Sequence, residues 1–262
     1  MDEKKILLSL IEERSIKCDE LQMITSSKFL DMNEKSLVTA MKPVPGVFRL
    51  FYGGFEEAER TVAVFLPEYT AVKSGEELKA YFEQYEEDNP LCLLKVEKDK
   101  FSRALTHRDY LGALMGLGIK RDVIGDIRVN DSGCEIACLK TMADYIKENL
   151  TKAGRGTLNI EITDFSHAQR TENEAGEEIC FTVSSPRLDS IVKNAFGVSR
   201  DSACEAIDRG LVFVNDIQAL KPDKKIQDGD KIVLRHKGRF IVSSSGDMSK
   251  KGRYIIRGRK FA

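Results

Sequence analysis

Two arginines, Arg187 and Arg200, stand at the starts of two short helical patterns that meet at Gly197. The chemistry this placement offers is phosphate recognition. A cation at a helix start is unfavourable by itself, because the macrodipole already puts partial positive charge there. A phosphate nearby reverses the sign of that cost, since the first backbone N–H groups of a helix are free to donate to an anion. Arg187 precedes Leu188, Ile191, Val192, Ala195 and Phe196, whose spacing makes one apolar helical face and leaves Lys193 and Asn194 off it. Gly197 ends that helix, Ser199 caps the next, Ala203, Ala206 and Ile207 form its inner face, and Gly210 ends it. The competing reading is that both arginines are solvated, or paired with Asp189 and Asp201 at little net gain.

The bulk charge supports an anionic partner. The chain is nearly neutral, at −1 over 262 residues, yet from Val183 onward there are 17 Lys+Arg against 9 Asp+Glu, leaving 24 against 33 in the remainder. A basic C-terminal third on an acidic body suits a polyanion. No apolar run reaches the roughly 20 residues of a membrane span, and the start "MDEKKILLSLIEERS" is too acidic for a signal peptide. A cytoplasmic protein is expected. The six cysteines form no CxxC pair and read as buried thiols. Cys134 and Cys138 point to one face of a strand, into the core, and no metal is expected.

Residues 1–86 read as an N-terminal α/β domain. "EKKILLSLIEERSIK" places Ile6, Leu7, Leu10 and Ile11 on one helical stripe, further short helical patterns run to Met41, and two strands, 47–52 and 60–66, follow through Gly53-Gly54. Ser74 and Glu77 have the spacing of a capping box. Residues 87–166 read as a second domain, with strand 91–98, helix 106–118 capped by Thr106, strand 123–130, hairpin partner 134–139, helix 140–152 and strand 156–164. This β-α-β-β-α-β order is that of the ferredoxin-like fold shared by RNA recognition motifs. Neither "LCLLKVEK" nor "CEIACL" carries the aromatic residues that stack bases in those motifs, so RNA contact here would fall to Arg103, His107, Arg108, Lys120, Arg121 and Arg128. A polar connection spans 165–180. A third domain, 180–262, holds the two arginine-led helices, the short strands "LVFVN", "KIVLR", "RFIVSS" and "RYIIRG", and a basic, mobile tail over 246–262. The fold class is α+β and multidomain.

The stretch "RLD…SR…A…AIDRGLVFVN…KP…IQDGDKIVL" resembles the S4 domain, a small RNA-binding module. That resemblance implies that Arg187, Ser199, Arg200, Asn215 and Lys221 face RNA; Lys193 and Asn194 complete the candidate set. Asn215-Asp216 stands where the family often has Asn-Gly. Together with "GGFEEAER" (53–60) and "LTHRDYLGALMGLGIKRDVIGDI" (105–127), the order of motifs resembles the bacterial YlmH-like S4-domain proteins over nearly the whole chain. It implies binding to the large ribosomal subunit carrying obstructed peptidyl-tRNA, ribosomal RNA and tRNA as partners alongside other quality-control factors, and a role in ribosome-associated quality control of stalled nascent chains.

The residues argue for a non-enzymatic factor with no cofactor and no catalytic residue. "HRDY" (107–110) resembles a kinase catalytic loop but lacks every other kinase motif; "GLGIK" has no P-loop spacing; "DMSKKGR" lacks the nucleotide-binding domain that a tRNA synthetase would need. A second candidate group of RNA contacts is His107, Arg108, Lys120 and Arg121. The alternative is an S4-targeted rRNA or tRNA modification enzyme, for which only the Gly53-Gly54 loop is suggestive; a third reading is a protein–protein scaffold. Reversing Arg187 and Arg200 to Glu is expected to abolish RNA association and leave the fold intact.

Overall fold

The computed structural model of the chain describes residues 3–56, 58–99, 103–169 and 176–261. It divides into two compact units, Met1–Gln169 and Arg170–Ala262, and the described residues form three sheets whose strand pairs are all antiparallel.

The first unit begins with α1 (Glu3–Leu21), β1 (Thr25–Leu30), α2 (Met32–Thr39), β2 (Val47–Tyr52), β3 (Thr61–Pro67) and α3 (Gly75–Gln84). The expected α/β unit is thus an antiparallel three-stranded sheet, ordered β1-β3-β2. β1 lies where helical patterns were expected up to Met41. Its sequence TSSKFL has only two buried residues, Phe29 and Leu30 at its end, so alternation gave no signal. The expected stripe of α1 is also displaced. The helix buries Ile11, Ser15 and Cys18, while Ile6 and Leu10 stay 42% and 52% exposed. Residues 11, 15 and 18 share one face, and residues 6 and 10 lie one step around the helix from it. At α3, Ser74 accepts from the Glu77 N–H, but the Glu77 carboxylate takes the Lys73 N–H at 2.6 Å, one residue before the expected box partner.

The same unit continues with β4 (Leu91–Lys98), α4 (His107–Gly116), β5 (Ile124–Val129), β6 (Gly133–Leu139), α5 (Ala143–Asn149), β7 (Lys152–Ala153) and β8 (Gly156–Thr163). The sheet order is β5-β6-β4-β8-β7. Helix α4 starts as its caps require: Thr106 and Asp109 form a full capping box, and Gly118 turns the chain out at φ +76°. Helix α5 is shorter than the expected 140–152, because Lys140–Met142 form a 3₁₀ turn and Lys152 opens the added β7–β8 hairpin. One face of this sheet packs on α4 and α5 through Leu94, Val96, Ile136, Tyr110, Leu114 and Ile146. The other packs on the first sheet: Leu91, Leu93 and Ala137 share a core with Phe29, Phe55, Val62, Val64 and Leu66. Packing is continuous across residue 86.

The second unit holds β9 (Glu177–Val183), α6 (Leu188–Phe196), α7 (Arg200–Asp208), β10 (Val212–Val214), β11 (Ile217–Gln218), β12 (Lys231–Leu234), β13 (Gly238–Ser244) and β14 (Tyr254–Phe261), in the sheet order β11-β10-β12-β13-β14-β9. Helix α6 buries all five expected apolar residues, and each large one contributes about 1.5–3 kcal/mol by leaving water. Two expectations are corrected. Residues 254–261 are no mobile tail: β14 pairs with β13 on one side and β9 on the other, and Ile256 is fully buried. The strand "RYIIRG" thus extends further than its apolar core, because alternating Arg257 and Arg259 lie on the sheet's other face. The polar connection over 165–180 is also shorter than expected, since Phe165 packs in the first unit's core and β9 begins at Glu177; residues 170–175 lie outside the described residues.

Candidate nucleic-acid interface

The starts of α6 and α7 are joined by one carboxylate. Asp189, in the first turn of α6, is 1% exposed. Arg187 donates to it twice, Nε to Oδ1 at 3.1 Å and Nη2 to Oδ2 at 3.2 Å, and Arg200 donates Nη2 to Oδ2 at 3.2 Å. The Ser190 N–H adds a bond to Oδ1 at 2.9 Å. Burial pushes the Asp189 carboxyl upward, but the bond and charge of Arg187, then the bonds from Arg200 and Ser190, outweigh it and hold the group below its ordinary value. The arginine side chains remain 39% and 64% exposed, so each guanidinium is oriented on one edge and open to solvent on the rest. Pairing and exposure, set against each other in the sequence, coexist here. Both arginines take Asp189, and among the bonds of the described residues none links either to Asp201.

The expectation of free N–H donors at both helix starts is corrected for α6. Its Leu188 N–H donates to the Lys224 carbonyl at 2.9 Å and its Asp189 N–H to the Pro222 carbonyl at 3.0 Å. The segment 222–225 therefore fills the anion position of α6 with its own backbone. It also brings Lys224 and Lys225, both exposed and unremarked in the sequence, beside Arg187, which bridges Lys225. The "KPDKK" run carried that signal, since a proline followed by paired lysines marks an exposed basic turn. Lys221 and Lys193 are exposed, with no ion pair among the described residues. Ser199 accepts from the Ser202 N–H at 3.0 Å and caps α7. Asn194 is exposed and bonds back to the Ser190 carbonyl at 2.7 Å. Asn215 is held by its own partners: its side chain donates to Asp230 at 2.7 Å and accepts from the Lys231 N–H at 2.9 Å. It forms a two-residue hairpin turn with Asp216, both left-handed at φ +53° and +65°. The change from Asn-Gly keeps the turn geometry, with Asp216 paired to Lys231 at 2.9 Å.

In the first unit, His107 and Arg108 are exposed in the first turn of α4, and Lys120 is exposed after it. Arg103 pairs with Asp109 at 3.1 Å. Arg121 is turned inward: it donates to the carbonyls of Ile124 and Gly125 at 2.7 and 2.9 Å, and burial, then repulsion from Arg60, lowers its pKa to about 10. Arg128 lies over the Phe55 ring and donates to the Glu56 carbonyl at 2.6 Å. Two of the six basic candidates thus serve packing.

The sheet face on which RNA recognition motifs stack bases is closed as well as free of aromatics. The packed first sheet covers it, and the 3% exposed Glu135 on it accepts the Gln169 N–H at 3.0 Å. The "GGFEEAER" and "RDVIGDI" motifs seal the two sheets together. Asp126 accepts the N–H groups of Glu59 and Arg60 at 2.7 and 3.1 Å, and Arg60 donates to the carbonyls of Ile124, Phe29 and Arg121. Gly125 is required by packing, because a Cβ there would lie 2.6 Å from the Phe29 ring. Gly54, at φ +82°, packs so closely on Phe165 that a Cβ would meet its ring at 2.1 Å.

The class defined by these features is an α+β protein of three antiparallel sheets, in which residues 85–167 match the family model described as "Putative RNA-binding domain in YlmH". The "Ribosome-associated protein quality control protein P2" of Bacillus subtilis (strain 168) is 30% identical over 258 residues, spanning 97% of this chain and 94% of that protein. The chain belongs to the YlmH family. The solved "Cell division protein ylmH from Streptococcus pneumoniae" is 20% identical, covering 65% of this chain and 96% of that one at a TM-score of 0.48. No helix among the described residues is long and apolar enough to cross a membrane.

Proposed function

We propose that the chain is a non-enzymatic RNA-binding factor of ribosome-associated quality control, acting on the large ribosomal subunit and tRNA, with residues 180–262 as an S4-type module. The observation that carries this reading is the Asp189 bridge. It fixes two half-open guanidiniums side by side next to the exposed lysines of 221–225, which is a surface for phosphates in a folded RNA. The printed name of the Bacillus relative and the family model over 85–167 support the setting. Residues 87–166 are read as an RRM-like domain from their element order; with the stacking face closed, RNA contact there falls to His107, Arg108 and Lys120. The enzyme reading loses its main support, because the Gly53-Gly54 loop is filled by Phe165 and anchored by Asp126.

Charge reversal of both arginines is an unsuitable test, contrary to expectation, since it would set glutamates against a buried carboxylate. Lys193→Glu with Lys221→Glu touches neither the core nor Asp189. Co-sedimentation of this variant with large subunits should fall about tenfold or more, and the salt dependence of binding should lose about two units of log–log slope. Unchanged co-sedimentation at every salt concentration would remove the interface from this face.

A further inference from the structure

A cleft of about 230 Å³ opens between α1 and β2 in the first unit. Its walls are apolar at Ile11, Val47 and Phe65, and Arg49 from β2 reaches into it. Arg49 is half-buried, and among the described residues no carboxylate pairs with it. Its Nη2 donates to the carbonyls of Thr39 and Met41 at 3.2 and 3.1 Å, which fixes the guanidinium without neutralising it. Burial lowers its pKa from the ordinary arginine value. Ser15, 6% exposed on the buried line of α1, lines the same cleft, and its hydroxyl has no hydrogen-bond partner among the described residues. The half-buried guanidinium has no anion on it, and the Ser15 hydroxyl oxygen is not sealed off, so both keep hydrogen-bonding capacity toward the cleft. One ligand group answers both: an acceptor anion with two oxygens.

We propose that this cleft binds the carboxylate of a small aliphatic acid, with the anion on Arg49 and Ser15 and the aliphatic body against Ile11, Val47 and Phe65. Three observations select this class. The volume is below the roughly 300 Å³ at which drug-sized pockets begin. The apolar walls offer nothing to a hydrated ion such as inorganic phosphate. Glu12 lines the cleft, on a chain whose excess of acid lies outside the C-terminal third, and disfavours a polyphosphate backbone, while Arg49 and Lys42 in the same lining admit a single negative charge. The site is independent of the RNA-binding reading. The acid's source is either a free short-chain or amino acid, or the C-terminal residue of a peptide.

Calorimetry on the full chain with butyrate, butyramide, inorganic phosphate, trialanine and trialanine amide tests the proposal. Butyrate or trialanine should bind at least about tenfold more tightly than its amide, because a charge-assisted pair is lost in the amide. Preference for butyrate assigns a free acid, and preference for trialanine assigns a peptide terminus. Arg49→Met should remove the difference between acid and amide, and Arg49→Lys should restore part of it. If Arg49→Met does not fold, Ser15→Ala should still weaken the acid about fivefold and leave the amide unchanged. Equal binding of acid and amide, binding of phosphate alone, or no binding by any of the five overturns the assignment. Large-subunit co-sedimentation of Arg49→Met separates the two readings, since it should match the parent whatever calorimetry shows.

Discussion

The two sheets of the first unit and the helix pair of the second treat their polar groups in opposite ways. In the first unit, Arg60 and Arg121 turn their guanidiniums onto backbone carbonyls, and Asp126 takes two N–H groups, so the charged residues of "GGFEEAER" and "RDVIGDI" close a seam. Burial there dominates and holds the Asp126 carboxyl above its ordinary value. In the second unit, Asp189 is as buried as any core residue, but the cations it holds stay half in water, and its own pKa is lowered. The lesson concerns sign. A buried acid bonded mainly to neutral N–H groups is part of the packing, whereas one bonded to exposed arginines is a handle that presents positive charge outward.

The largest effect should come from breaking that handle. Asp189→Ala leaves two guanidiniums without their shared anchor, and chemical denaturation should show a loss of about 2–3 kcal/mol, less than for a wholly buried pair because both cations keep water. RNA association should weaken with it. Gly125→Ala strikes the other side of the comparison by forcing a methyl into the Phe29 ring, and it should cost about 1–3 kcal/mol in thermal unfolding of the first unit with no change in ribosome co-sedimentation. If Gly125→Ala impaired binding as strongly as Asp189→Ala, the contrast between a seam and a presenting surface would fail.

Acid sharpens the contrast further. Asp189 has a folded pKa below its unfolded value of about 3.9, so its contribution is in full above that pH and is lost as pH falls through the folded pKa. The parent's resistance to denaturation should weaken as pH falls below about 4, and Asp189→Asn should lack that segment of the pH dependence. The smallest effect belongs to Asp216→Gly. Glycine relieves the left-handed backbone but removes the pair with Lys231, and the unfolding free energy should change by no more than about 0.5 kcal/mol in either direction, read from denaturant melts.

Determined by the sequence itself were the features whose partners lie within a turn or two. Thr106 with Asp109 starts α4, Ser199 starts α7, glycines at 118, 197 and 210 end helices, and the apolar spacing of α6 names its buried face, because caps and periodicity are local. Arg187 and Arg200 were legible by charge and position at two helix starts, and Lys221 by the resemblance to S4 domains. Tertiary structure alone decided which of them are presented and how. Asp189 reaches Arg200 across two helices, the carbonyls of Pro222 and Lys224 displace the anion expected at α6, and Arg121 turns inward. It also inserted β14 between two strands, turned TSSKFL into β1, and closed the sheet face by packing Phe29 and Phe55 on Leu93 and Ala137. Those outcomes depend on which distant surfaces meet, and a buried charge takes its role from the neighbours it acquires there.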